Sequence, residues 1–138
     1  MKWIVLVGVL CLGSCFAQDY RVMAREIISE SIGDTEWRNK KSSVEANYLI
    51  WVKDHGDSKI DAYLDAVLTE KVKDFGKKKT VENLKEVMVW VGLHSAFDVK
   101  LPKWVEKCLE DRKDELDRLD VHSFDWSAAL EAFKGGDK

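Results

Sequence analysis

Proline occurs once in the 138-residue chain, at Pro102, and glycine only eight times. Collagen-like, low-complexity and disordered architectures all need far more of such residues or blocks of one charge, and neither is present. Cysteine is equally scarce, with three residues, of which Cys11 and Cys15 lie in the first fifteen positions. A disulfide-stapled scaffold is thereby excluded for any chain from which that segment is removed, because Cys108 would then have no intramolecular partner. Asn-Gly and Asp-Gly dipeptides and sustained apolar–polar alternation, the marks of β-hairpins, are missing as well. Nor is there an excess of basic charge. The formal net charge is −3, which leaves no electrostatic footprint for nucleic acid or for anionic membranes.

What is present is a hydrophobic fraction of 46% with charge spread along the chain, enough to build one core at this length. Met1–Ala17 carries a single positive charge at Lys2, an apolar run and then small residues, the pattern of a secretory signal too short to span a bilayer. The expected organisation is a signal over 1–17 followed by one helical domain over 18–138, secreted and extracellular. A competing reading of Leu12-Gly13-Ser14-Cys15 is a bacterial lipoprotein box retained at Cys15.

Apolar residues recur at three and four residue steps almost throughout, so the fold class expected is all-α, with about six helices. The first runs from Asp19 to Ile32, with Met23, Ile27 and Ile28 on one face and Gly33-Asp34 as its stop. A short segment around Trp37 precedes a helix opened by a capping box at Ser42-Ser43-Val44-Glu45 and closed at Gly56. Ser58-Lys59-Ile60-Asp61 opens the next, striped by Ile60, Leu64, Val67, Leu68, Val72 and Phe75 up to Gly76. Thr80 caps a helix whose run Val87-Met88-Val89-Trp90-Val91 is apolar all round, which marks it as the central one. Pro102, at a first helical position, starts a face through Val105, Cys108, Leu109, Arg112, Leu116 and Leu119. A last helix covers Phe124 to Lys134 and ends at Gly135-Gly136. Ser43-Val44-Glu45 with Trp51-Val52 is echoed by Thr80-Val81-Glu82 with Trp90-Val91, at offsets of 37 and 39 residues. A compact bundle is the arrangement expected, and a stack of armadillo-like helix pairs is the alternative.

Chemistry-bearing patterns are sparse. His55, His94 and His122 show no metal-ligand spacing, and no Gly-x-Ser-x-Gly, phosphate loop or cysteine-protease signature occurs. No enzyme, cofactor or metal site is expected. Asp54-His55-Gly56-Asp57 lacks the rest of a calcium loop. Glu110-Asp111 and Asp114-Glu115, interleaved with Arg112, Lys113 and Arg118, read as a solvated helix face. Lys77-Lys78-Lys79 reads first as a cationic helix end and second as a docking patch for an acidic partner. Cys108 is expected to pack as a small hydrophobe, with an intermolecular disulfide dimer as the other outcome.

Tryptophan is the unusual abundance, with six residues, all but Trp3 beyond the leader. Trp51 and Trp90 are assigned to helix packing. Trp37, between Glu36 and Arg38, and Trp126, between Asp125 and Ser127, are the candidates for exposed binding residues, joined by Trp104. The layout of a signal, a small acidic helical domain, scattered tryptophans and no disulfide resembles the hematobin-like small effectors of saliva and gut in blood-feeding insects. That resemblance implies a non-enzymatic protein that binds a host component and dampens haemostasis or inflammation, and it carries over no site residue. Two functions are therefore expected. One is an effector that binds an extracellular protein through Trp37, Trp104 and Trp126. The alternative is an extracellular carrier of an apolar small molecule, in a cavity lined by Phe75, Met88, Trp90 and Val91.

Overall fold

The structure, a computed structural model, describes residues 19–56 and 59–135. The proposed leader, Cys15, Ser58 and Gly136 lie outside the described residues. Within them the chain is all-α, with seven helices and no strand. No helix among the described residues is long and apolar enough to cross a membrane.

Helix α1, Tyr20–Ile32, starts where Asp19 accepts a hydrogen bond from the Arg21 amide at 3.1 Å. The Arg21 side chain closes on the same carboxylate and, through this hydrogen bond first, holds the Asp19 carboxyl below its usual range. Tyr20, Met23, Ala24, Ile27 and Ile28 are all buried, as three and four residue spacing requires. Gly33, at φ 90°, ends α1 in a conformation that side-chain-bearing residues avoid.

The next helix corrects the sequence reading. No separate segment forms around Trp37 and no capping box operates at Ser42. Helix α2 is continuous over Asp34–His55. Arg38-Asn39-Lys40-Lys41 contains no breaker, and the exposed Ser42 and Ser43 are tolerated inside the helix. Trp37 and Val44, two turns apart, bury one face, and Gly56 at φ 79° closes the helix as expected.

Helix α3, Ile60–Lys77, buries Tyr63, Leu64, Leu68 and Phe75 and runs one residue past Gly76. Thr80 caps helix α4, Val81–Ala96, accepting from the Asn83 amide at 3.2 Å. Seven residues of α4 are buried, so its central place is as the apolar run indicated. Its main partners are α1 and α3. Against α1 the approach is close: a β-carbon at Gly92 would stand 3.0 Å from the Arg25 backbone N and Cα and 3.3 Å from the Ala24 carbonyl carbon. Asp98, at φ 54°, then turns the chain, and Arg21 reaches across to the Val99 carbonyl at 2.9 Å.

The stretch after Pro102 also departs from expectation. Pro102 is the cap residue, and the single helix foreseen is split into α5, Lys103–Glu110, and α6, Lys113–Asp117. At the break the Arg112 amide donates to the Leu109 carbonyl, while its guanidinium Nη1 donates to the Cys108 carbonyl at 2.9 Å, in the place that this amide would take in a continued helix. Helix α7, Trp126–Gly135, begins two residues later than expected because Asp125 caps it, accepting from the Ala128 amide at 3.1 Å.

The core inside this frame is not uniform along α4. Val91 is buried, whereas Val87 is half-buried. Val91→Ala is expected to cost about 1–3 kcal/mol by the large-to-small rule, and Val87→Ala less than about 1 kcal/mol. Chemical denaturation of the two variants side by side checks the order.

Candidate functional site

The three tryptophans nominated for binding are not brought together, and their exposures reverse the expectation. Trp37 is buried, 8% exposed, and belongs to the core. Trp126 is half-buried, its ring edge-on to Phe124 at 4.8 Å and beneath the Lys85 ammonium at 5.3 Å. Adjacent charged residues gave a false signal because neighbours on a helix point about 100° apart. Glu36 and Arg38 face solvent while Trp37 turns inward. Trp104 is the exposed one, at 45%.

Trp104 stands at the edge of an open cavity of about 200 Å³ between α3, α4, α5 and α7. Each helix supplies part of the wall for a local reason. The C-terminal turn of α3 brings Val72 and Phe75, and Gly76 beside them has open space where a side chain would stand. Helix α4 contributes the half-buried Val87 together with the buried Met88 and Val91. From α5 come Val105 and Leu109, the stripe that follows Pro102, with Cys108 one position round. Phe133 of α7 closes the far side, edge-on to Phe75 at 6.2 Å.

Three of the four residues expected to line an apolar cavity, Phe75, Met88 and Val91, do so. Trp90 does not. It is turned to the other side of α4, where its ring meets Tyr63 edge-on at 6.1 Å in a cluster with Trp51 and Tyr48. Cys108, expected to be packed away, is an exposed free thiol on the cavity wall. The outward rotation of its side chain follows from its place beside Val105 and Leu109, which take the buried positions of α5.

Sequence reasoning missed Arg112 as a cavity residue. It was placed on the apolar stripe only by its spacing. In the structure its guanidinium lies over the Phe133 ring, 5.1 Å from the centroid, while Nη1 is fixed to the Cys108 carbonyl. Its Nε is buried without a hydrogen-bond partner among the described residues. Lys79, at the turn before α4, is the other cationic wall residue.

A polar pair with one buried partner lies outside this cavity. His94, fully buried, sets Nδ1 2.7 Å from the Trp90 carbonyl and Nε2 2.9 Å from Asp65 Oδ1, joining α4 to α3. No three residues of the metal-ligating types meet among the described residues. Chemically, the cavity offers an apolar enclosure with a cationic margin and an adjacent thiol. No family model, curated protein or solved structure matches the chain.

Proposed function

We propose that the chain is a secreted, non-enzymatic binding protein that carries a small apolar molecule between α3, α4, α5 and α7. The observation that carries this reading is the cavity of about 200 Å³ with its almost wholly apolar wall. Walls of this kind lose exposed apolar area and gain contacts when a small ligand fills the space between them. A compact bundle is the architecture on which the reading rests. It is supported by the main interface joining α1 to α4, which are remote in sequence, where armadillo-like pairs would stack neighbours.

The exposed thiol on the wall supplies the test. Saturable binding of 1-octanol should slow alkylation of Cys108 by a charged thiol reagent at least fivefold. Val87→Phe, which fills the cavity from a half-buried position, should abolish the protection while leaving the thiol reactive. Alkylation that is indifferent to octanol at saturation would remove the proposal.

A second reading, an effector acting on an extracellular protein, is favoured by a different observation. Leu49 and Ile50, consecutive in α2, are 64% and 61% exposed, where their aliphatic side chains gain little from the fold. Trp104 is the one nominated tryptophan accessible enough to serve that reading. Replacing Leu49 and Ile50 by lysine would remove this pair and leave octanol binding unchanged, which separates the two functions.

A further inference from the structure

The cavity carries charge that its apolar walls do not require. Of the described side chains around it, Lys79 and Arg112 are cationic and none is anionic, in a chain whose net charge is −3. The nearby carboxylate of Asp111 is directed elsewhere, to Lys107 at 3.6 Å. Arg112 is also held in place: one nitrogen is bonded to the Cys108 carbonyl, and the guanidinium plane is carried over Phe133. Its Nε has lost water without gaining an acceptor among the described residues. No ion pair among the described residues involves this guanidinium, and an oxyanion that meets it from the cavity makes a charge-assisted contact. Lys77 and Lys78, exposed at the end of α3, extend the positive margin beyond Lys79.

We infer that the ligand is a single-chain amphiphilic anion, with an apolar tail inside the cavity and an oxyanion head at Arg112 and Lys79. This rests on the cavity being a ligand site, and it adds the chemical class. The tail uses the space between Phe75, Met88, Val91 and Phe133, and the head sits against the charged Arg112 guanidinium. In a partly dry cleft one charge–charge contact is screened much less than on an open surface, so the head group decides affinity among ligands of equal tail.

The test is calorimetric titration of the purified chain with octanoate, octyl sulfate and 1-octanol, three probes of one tail length. Octanoate is expected to bind at least tenfold more tightly than octanol, and the advantage should shrink as salt is raised. Arg112→Gln should lower the ratio of octanoate to octanol affinity at least tenfold, with far-UV circular dichroism showing that the variant is folded. Lys79→Gln should remove a smaller part of the same preference. Octyl sulfate matching octanoate supports recognition of oxyanions in general, and octanoate binding far more tightly supports recognition of carboxylates. Equal binding of octanol and octanoate to the unaltered chain overturns the head-group assignment and leaves the cavity reading standing. Failure of all three probes to bind overturns the cavity reading itself, and the inference falls with it.

Discussion

Gly92→Val is expected to destabilise the fold by at least about 3 kcal/mol, a large share of the 5–15 kcal/mol that holds a domain of this size together. The reason is where α1 crosses α4. At Gly92 the neighbour of a new side chain is main chain, the Arg25 N and Cα at 3.0 Å and the Ala24 carbonyl carbon at 3.3 Å, with no side chain able to swing aside. The helix backbone of α1 would have to move, and with it Ala24, Ile27 and Ile28, all almost fully buried. Alanine is the informative intermediate. It brings the favourable helix propensity that glycine lacks, about 1 kcal/mol, against a single methyl in the same space, so Gly92→Ala should be destabilising by only about 1 kcal/mol net. Urea denaturation followed by far-UV circular dichroism gives both values. A valine variant within 1 kcal/mol of the unaltered chain would mean that the α1–α4 spacing is set elsewhere.

Gly92 also illustrates what a sequence conceals. It sits inside an apolar helix with no turn signal, and its role appears only when a second helix, some seventy residues earlier, is laid against it. The patterns that were legible are local ones. Met23, Ile27 and Ile28 define their own face by spacing, Thr80 finds the Asn83 amide within one turn, and the all-round apolar run of α4 requires neighbours on every side. Those that misled depended on competition between equally local choices. Ser42 has the right chemistry for a cap, but a cap forms only where the preceding residues leave the helix, and Trp37 buried against the core keeps them in it. The split between α5 and α6 is decided by a guanidinium folding back onto a carbonyl, a contact that residue spacing does not encode. For the candidate site, Phe75, Met88 and Val91 were readable because large apolar residues on converging stripes leave gaps. Arg112 was not, because its long side chain reaches the cavity from a position outside the regular helices.

His94→Ala is the second change with a large expected effect, about 3 kcal/mol, and it separates two contributions at the α3–α4 contact. The imidazole is fully buried, so truncation leaves a void and forfeits its contacts, as in other large-to-small core changes. It also breaks two hydrogen bonds. The Trp90 carbonyl can only accept, so Nδ1 donates to it, and Nε2 stands 2.9 Å from Asp65 Oδ1. Neither partner is stranded by the loss. The Trp90 carbonyl keeps its place in the α4 ladder, and Asp65, 43% exposed, is rehydrated, which discounts the ionic part of the pair. His94→Leu should therefore recover much of the stability by refilling the volume, leaving a deficit of about 1 kcal/mol for the polar bridge. Asp65→Asn, whose side-chain amide can donate to Nε2 or accept from it, should cost no more than that. If the leucine variant were instead as unstable as the alanine one, the bridge and not the packing would be what fastens α4 to α3.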